Sequence, residues 1–341
     1  MKVIRRAALY VVTPLALVLA ASYSWYRLSD TGKGWRYEDK LATYCDGLIP
    51  YEESAAFTGL NTEVGLSYDT RRGFGDDAFS YCRVADMYVT IGLIADDAVG
   101  SDTVADDVFD ELDSVTTDTL PAALGGGWYG YTDMSNTGIV LPCDNKPASV
   151  VVSIAGDASH DNPSEARAMG ELAAATAQKA ADRWSCEVEQ GGRIPVVAAQ
   201  AEQGSSYVAT GTCRGIPIRE NEEIHWIQET KATGTAPLEE CVLGETKARS
   251  EELYYLEAAF GPYAQRLRSE TDEPGTPNVD AAIGPNSARA TAACPGAGRA
   301  IFSIYATEYA YPQKKFLLAS LRAYAERSAK QHGCTDLKLP D

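Results

Sequence analysis

The eight cysteines constrain this chain more than any other feature of its sequence. All of them lie beyond an apolar N-terminal run, and their even number is typical of a disulfide framework in an exported protein. None stands in a close Cys-x-x-Cys pair, which argues against a zinc ribbon or a thioredoxin-like redox site. The cysteines that we expect in disulfides are Cys45, Cys82, Cys143, Cys186, Cys213, Cys241, Cys294 and Cys334.

The N-terminus carries an export signal. Lys2, Arg5 and Arg6 precede an uncharged stretch at residues 7–26, about the 20 residues that a helix needs to cross a bilayer. Basic residues before the stretch place the N-terminus in the cytoplasm and the rest of the chain outside. A cleaved signal peptide is the alternative, because the most apolar part of the stretch is short.

The aromatic pair at the end of the stretch favours an uncleaved anchor. Trp25 and Tyr26 stand where interfacial aromatic residues would hold the outer end of a transmembrane helix. We therefore predict a single-pass protein of the cell membrane, with the membrane as one of its partners. Its parts are a cytoplasmic tail at residues 1–6, a transmembrane helix at residues 7–26 and a juxtamembrane linker at residues 27–44.

The charge of the chain excludes some partners. The formal net charge is -18, and a polyanionic surface repels nucleic-acid phosphates and anionic lipid headgroups. Nucleic acid is therefore not an expected partner. A cationic ligand, a divalent cation or a basic protein stays open, and so does a simple role of the charge in solubility.

The order of features around the cysteines occurs twice. In both halves a cysteine is followed by a β-branched run, a helix signal and a further cysteine. This order predicts two related modules of four cysteines each, at residues 45–195 and 196–341. The corresponding residues are Cys45 with Cys213, Cys143 with Cys294 and Cys186 with Cys334.

A second register competes with the first. It aligns Trp128 and Cys143 with Trp226 and Cys241, which stand at the same spacing. The two registers give Cys143 different counterparts, so only one can hold. We favour the first register, because it matches whole elements and not only scattered residues.

Packing geometry suggests which cysteines are paired. When a helix packs back antiparallel on the preceding strand, its end returns to the start of that strand. Sequence alone permits 105 connectivities for eight cysteines, so the pairing is a hypothesis. Packing predicts Cys143 with Cys186 and Cys294 with Cys334, and the remaining cysteines are expected to pair locally, Cys45 with Cys82 and Cys213 with Cys241.

Helix signals complete the expected fold. Asn162, Pro163 and Glu165 fit an N-cap, a first-turn proline and a capping-box acid, Pro312 opens a second helix, and a third is predicted at residues 250–260. The basic residues that we expect on the solvated side of the second helix are Lys314, Lys315, Arg322 and Arg327. The predicted fold class is α+β: an N-terminal transmembrane helix and then two disulfide-stapled modules, each an antiparallel sheet with a packed helix.

The candidate chemistry is weak. Residues 125–130 formally match the dinucleotide fingerprint, but polar residues follow them and a Gly-rich turn into a strand is favoured. The acidic run at residues 96–118 lacks the residue order of a calcium loop, so a solvated helix face is favoured and calcium is not expected. His160, His225 and His332 are far apart and have no metal-binding spacing. We therefore assign no catalytic residue, no metal site and no cofactor.

Tyrosines concentrated in the second half give the best indication of function. Tyr is favoured at recognition surfaces because it combines apolar area with a hydroxyl group at low entropic cost. The rings could equally fill a half-wet sheet face, and both interpretations stay open. The residues of this candidate binding surface are Tyr254, Tyr255, Tyr263, Tyr305, Tyr309 and Tyr311.

One segment resembles a known group of proteins. The run Cys-Asp-Gly-Leu-Ile-Pro-Tyr-Glu-Glu at residues 45–53, with Cys82 and strand-like residues 88–93, resembles the opening of small envelope lipoproteins and membrane-anchored proteins of actinobacteria. The resemblance covers about the first third of the exported part and implies an envelope location and an α+β fold. It carries no catalytic residues, and this chain lacks the lipobox cysteine of the lipoproteins.

Two functions remain after these exclusions. The first is a non-catalytic binding or scaffolding protein of the cell envelope, with an envelope protein as partner. The alternative is a hydrolase outside the cytoplasm, whose site would combine carboxylates that are scattered along the sequence.

Overall fold

The chain folds into α-helices and two antiparallel sheets, as described by a computed structural model. The structure describes residues 12–73, 78–96, 119–156, 162–197, 202–205, 209–231, 234–246, 251–271, 280–296 and 298–341. The helices are α1 (Thr13–Leu28), α2 (Asp30–Leu41), α3 (Tyr51–Thr58), α4 (Pro163–Arg183), α5 (Pro262–Thr271) and α6 (Lys314–Gln331).

The strands divide between the sheets according to their position in the chain. The first sheet contains β1 (Asp69–Arg72), β2 (Phe79–Val84), β3 (Met87–Ala95), β4 (Ala122–Ala123), β5 (Gly130–Thr132), β6 (Asn136–Pro142) and β7 (Ala148–Gly156). The second contains β8 (Glu202–Ser205), β9 (Trp226–Glu229), β10 (Leu238–Gly244), β11 (Glu252–Ala259), β12 (Ala282–Ile283), β13 (Ser287–Cys294), β14 (Gly298–Ala306) and β15 (Thr335–Lys338).

The two sheets share one strand order. The first runs β1-β2-β3-β7-β6-β5-β4, and the second runs β12-β13-β14-β11-β10-β9-β8, with β15 paired to β13. Read from β9, the second sheet has the order β9-β10-β11-β14-β13-β12, which matches β1-β2-β3-β7-β6-β5 strand for strand. In each half a helix, α4 or α6, follows the last strand of this set. These elements correspond in the sequence register that aligns Cys143 with Cys294.

Each sheet has one face covered by its helix. In β3, Met87, Val89 and Ile91 point into a core shared with α4, because successive side chains of a strand point to opposite faces. In β14, Phe302 and Ile304 likewise point into a core shared with α6. The opposite faces meet in a third cluster, and the layers therefore follow the order helix, sheet, sheet, helix.

The four disulfides connect the cysteines as the packing argument predicted. The bonds are Cys45–Cys82, Cys143–Cys186, Cys213–Cys241 and Cys294–Cys334. In each half, one bond ties an N-terminal loop to a strand, and the other ties the segment after the helix to the β-hairpin before it. The four bonds indicate an extracellular or secreted protein.

Two helix predictions are confirmed, with one exception on the surface of the second helix. The Asn162 side chain accepts a hydrogen bond from the Ser164 backbone at the start of α4. In α6, Lys314, Lys315 and Arg322 are exposed. Arg327 is not on the solvated side, however, because its guanidinium pairs with Glu239 at 2.8 Å and its side chain is only 7% exposed.

The predicted helix at residues 250–260 is wrong. This segment forms strand β11, and the next helix begins at Pro262. Leu, Glu and Ala favour a helix locally, but Tyr254, Leu256 and Ala258 alternate into the core beneath α6. Burial at a period of two residues outweighs local helix propensity here.

The predicted transmembrane helix at residues 7–26 is also wrong. Among the described residues, which do not include residues 7–11 of this span, no helix is both long enough and apolar enough to cross a membrane. Helix α1 ends at Leu28, and the Ser29 hydroxyl accepts from the Gly32 backbone and caps the charged helix α2.

The segment expected as a linker takes part in the fold. Within residues 27–44, helix α2 buries Tyr37 and Leu41 in the first core, and Tyr44 follows them. The Tyr44 hydroxyl donates to the Arg83 carbonyl at 2.6 Å. The apolar residues of α2 stand at helical spacing, which is how they reach one core.

Removing a helix-end disulfide should destabilise the protein. We expect Cys143→Ser with Cys186→Ser to lower the free energy of unfolding by about 4 kcal/mol, because the closed loop restricts the unfolded chain. Chemical denaturation of the purified protein measures this. The matched pair Cys294→Ser and Cys334→Ser should lose a similar amount, since the bonds enclose 43 and 40 residues. If the free energy of unfolding fell by less than about 1 kcal/mol in both variants, the disulfides would not have the stabilising role expected here.

Candidate functional site

The six tyrosines of the predicted binding surface divide into buried and accessible groups. Tyr254 is fully buried and Tyr263 is 3% exposed, so both rings belong to cores. Tyr305, Tyr309 and Tyr311 are 43%, 53% and 77% exposed. The set thus contains core rings as well as exposed rings, and the recognition surface stays a prediction that only the accessible members can satisfy.

The half-buried ring of Tyr255 and the exposed ring of Tyr305 stack across neighbouring strands. Tyr255 on β11 and Tyr305 on β14 are register partners, and their ring centroids lie 4.9 Å apart with planes at 9°. Both rings point away from α6, because Tyr254 on the other face of β11 fills the α6 core. The stack is held by two sheet strands and is therefore rigid.

The loop after β14 positions the other two exposed rings. The Thr307 backbone donates to the Leu253 carbonyl at 2.9 Å, and its hydroxyl donates to the Glu252 carbonyl at 2.6 Å. The Tyr309 backbone in turn donates to the Thr307 hydroxyl at 3.3 Å. These bonds fasten the loop to the start of β11 and hold Tyr309 next to the end of the sheet.

Carboxylates surround the rings. Glu240 on β10 lies directly opposite Glu257 on β11, two residues along the strands from the stacked tyrosines. Two directly opposed charges of the same sign destabilise a sheet, and a proton on one of the carboxyl groups avoids this cost. Burial, the charge of Glu257 and the charge of Asp133 raise the pKa of Glu240 to about 8.

The same carboxylates act on the tyrosines. Burial and the charges of Glu257, Glu240 and Glu252 raise the pKa of Tyr305 above its ordinary value. A hydrogen bond with Glu308, together with its charge, raises the pKa of Tyr309. Ring faces in a field of negative charge attract cations through both the ring quadrupole and the carboxylates.

We refer to this region as the tyrosine–glutamate surface. Its residues are Tyr255, Tyr305, Tyr309, Glu240, Glu252, Glu257 and Glu308. The surface combines accessible aromatic area with concentrated negative charge, which suits a lysine or arginine side chain or another organic cation.

The weaker motifs of the sequence do not gather around this surface. Gly125, Gly126 and Gly127 have positive φ and form a turn that leads into strand β5, so the helix that a dinucleotide site needs does not follow. Residues 97–118 of the acidic run, and His160, lie outside the described residues. Among the described residues, no three His, Cys, Asp or Glu side chains are grouped to hold a metal ion.

The other two histidines have separate environments. His225 is exposed, with Nδ1 2.9 Å from the Glu223 carbonyl oxygen. The His332 side chain is buried, stacks on Phe260 at 3.6 Å between centroids and lies 3.0 Å from a Glu239 oxygen. Neither environment indicates a metal site.

Sequence reasoning missed a buried polar network beneath α6. Glu239 accepts hydrogen bonds from Arg327 at 2.8 Å and Ser328 at 2.9 Å, in addition to its contact with His332. Burial works to raise the pKa of Glu239, but the His332 hydrogen bond and the Arg327 charge hold it below its ordinary value. Arg327 and His332 are separated from Glu239 by almost ninety residues or more, so no local pattern could reveal the network.

The raised pKa of Glu240 makes stability depend on pH. Folded Glu240 keeps its proton up to about pH 8, whereas the unfolded group loses it near 4.5. The folded state therefore binds the extra proton in this window, and the free energy of unfolding should fall as pH rises from 4.5 to 8. Urea denaturation from pH 5 to 9 measures the slope.

Glu240→Gln resembles the protonated side chain and should remove most of this slope. We expect it to raise stability at pH 9 by on the order of a few kcal/mol and to leave stability at pH 5 nearly unchanged. Glu308→Gln, at an exposed position, serves as the control and should keep the wild-type slope. Equal slopes for wild type and Glu240→Gln would refute the assignment.

Comparisons with known proteins do not add to this picture. No protein-family model, no curated protein and no solved structure matches the chain. The resemblance of residues 45–53 to actinobacterial envelope proteins therefore stays a prediction, and the function must be inferred from the tyrosine–glutamate surface itself.

Proposed function

We propose that this is a non-catalytic binding protein that recognises a cationic segment of an envelope protein partner through the tyrosine–glutamate surface. The observation that carries the proposal is the stack of Tyr255 and Tyr305, of which Tyr305 is 43% exposed, near the carboxyl groups of Glu240 and Glu257. A cation placed over such rings gains about 0.5–1 kcal/mol per ring at an exposed site, and more where water is excluded.

Rigidity supports recognition as well. The stacked rings stand on two hydrogen-bonded strands, and Thr307 fastens the loop that carries Tyr309. Binding then costs little conformational entropy, because these rings are ordered before a partner arrives. Tyrosine is also enriched where binding energy concentrates in protein interfaces.

A carboxyl group that can lose its proton when a cation binds supports a functional role. Glu240 lies opposite Glu257 across β10 and β11, and its pKa of about 8 keeps it protonated at neutral pH. A bound cation would favour the ionised form of Glu240 and lower that pKa, so the cation would be stabilised by both groups. The high negative charge of the whole chain adds long-range attraction for a basic partner.

Peptides of lysine and arginine provide a defined probe. Fluorescence anisotropy should show that they bind at low salt, more weakly at high salt, and much better than oligoglutamate does. Tyr305→Ala with Tyr309→Ala should weaken binding about 5- to 20-fold, because each ring contributes a cation–π contact. These substitutions leave the charge of the protein unchanged, so a loss reports on the rings.

Tyr68→Ala is the matched control. Tyr68 is 44% exposed, close to the value for Tyr305, but lies in the first half of the chain. We expect this variant to bind like the wild type. Unchanged binding by the variant with Tyr305→Ala and Tyr309→Ala would contradict the proposal, because net charge alone would then explain the attraction.

The hydrolase alternative predicts a different result, which is cleavage of a substrate by the wild-type protein. Glu240 and Glu257 are neighbouring carboxyl groups, and the pKa of Glu240 is raised to about 8, as a general acid requires. Cleavage of peptide or glycan substrates by the wild type, abolished in Glu240→Gln, would replace the binding proposal with a catalytic one.

A further inference from the structure

A groove runs along the outer side of α6, on the other side of the second sheet from the tyrosine–glutamate surface. It consists of two adjoining cavities of about 780 and 410 Å³ that share Gly215, Ala323 and Glu326. From Lys315 to Lys330 the helix side of the groove is about 22 Å long at 1.5 Å per residue. We call this feature the α6 groove.

The groove is basic, although the chain is strongly acidic. Exposed basic side chains line it, and Glu326 is the one acid among the described lining residues. Lys315 has a distant partner in Glu220, at 3.9 Å, but its side chain is 89% exposed and this pair contributes little. The exposed basic residues are Arg214, Lys315, Arg322 and Lys330.

Arg327 adds an observation that points to a ligand. Its side chain lines the groove but is only 7% exposed, and one Nη donates to Glu239 at 2.8 Å. Its buried Nε has no hydrogen-bond partner among the described residues. A buried, unsatisfied donor is costly. The Nε is shielded from solvent, so an oxygen ligand in the groove would supply the acceptor after a small shift of the Arg327 side chain.

Both walls of the groove are fixed. The loop that carries Arg214 and Gly215 is tied to β10 by the Cys213–Cys241 disulfide, and the Cys213 backbone donates to Glu229 at 3.1 Å. Helix α6 is tied to the sheet by the Cys294–Cys334 disulfide. A groove with rigid walls is preorganised for a ligand.

The lining selects among anionic ligands. Between the basic residues lie Pro217, Leu318, Ala319 and Ala323, and no aromatic side chain lines the groove among the described residues. Stacking platforms for bases are therefore not part of its described walls. Alternating cationic and aliphatic groups instead match a peptide that carries both carboxylates and aliphatic side chains.

We propose that the α6 groove binds an acidic, aliphatic-rich peptide segment of a second partner protein, independently of the tyrosine–glutamate surface. Arg322 lies seven residues after Lys315 and eight before Lys330, which is about 10 and 12 Å along α6. An extended peptide with acids about three or four residues apart meets these cations in register. The Arg327 Nε–H donates to one of its carboxylates.

Binding of a designed peptide tests this proposal. The probe has Glu at every fourth position with Leu and Ala between, and the same peptide with Gln for Glu is the neutral reference. Anisotropy with the full-length protein should show binding of the acidic peptide, and Arg322→Glu with Lys330→Glu should weaken it about tenfold or more. The Arg327 Nε–H resonance should shift when the peptide is added, which a general charge effect on the surface would not produce.

A matched control separates the groove from net charge. Lys33→Glu with Lys314→Glu changes the total charge by the same amount, and neither residue lines the groove. This variant should bind the acidic peptide like the wild type, and so should Tyr305→Ala with Tyr309→Ala. Ala323→Trp, which fills the groove without a charge change, should abolish binding.

Four results would overturn the proposal. The first is equal affinity in the wild type and in the Arg322→Glu, Lys330→Glu variant, and the second is equal affinity for the acidic and neutral peptides. The third is that inorganic polyphosphate binds as tightly as the acidic peptide and shifts the same Arg327 resonance, because the groove would then be a general anion site. The fourth is self-association that the groove variants abolish, since the occupant would then be a second copy of the chain.

Discussion

The attachment of each helix to its own sheet by a disulfide is the constraint on which the remaining structure depends. Cys186 follows α4 and bonds Cys143, while Cys334 follows α6 and bonds Cys294. Each bond holds a helix against one face of a sheet, and the opposite face stays available for other contacts. Part of each free face joins the two sheets in a shared apolar cluster. The free face of the second sheet also displays the stacked tyrosines, which therefore owe their position to the helix on the other side.

Strand β10 of the second sheet carries two neighbouring carboxyl groups whose pKa values are shifted in opposite directions. Glu240 faces Glu257 across neighbouring strands, and Glu239 on the opposite face is buried against α6. The cost of burying Glu239 is offset by hydrogen bonds from Arg327 and Ser328 and by its contact with His332. Burial and the charges of Glu257 and Asp133 instead raise the pKa of Glu240 to about 8, which keeps it protonated at neutral pH. Adjacent residues of one strand thus differ in their role, since Glu239 fastens the helix and Glu240 lies near the stacked tyrosines.

The two proposed sites have opposite charge and lie on opposite sides of one sheet. The tyrosine–glutamate surface attracts cations, and the α6 groove attracts anions. A chain with both can hold a basic partner and an acidic partner at once, which is a scaffolding role. Strand β10 links the two sites directly, because it carries Glu240 on one face and the disulfide of the groove wall, at Cys241, on the other.

The sequence by itself determined the features that depend on local order: the presence of a disulfide framework, the helix after Asn162, the helix after Pro312 and the acidic character. The disulfide pairing was a hypothesis among 105 connectivities, and the tertiary structure selected it. The sequence failed where a longer-range interaction decides the outcome. Residues 252–259 have helix-forming composition, yet they form a strand because alternate side chains fill the core beneath α6. Only the tertiary structure separated the accessible Tyr305 from the buried Tyr254, and only it brought Arg327 to Glu239. Burial and ion pairing between distant segments are fixed by packing, which local sequence patterns do not encode.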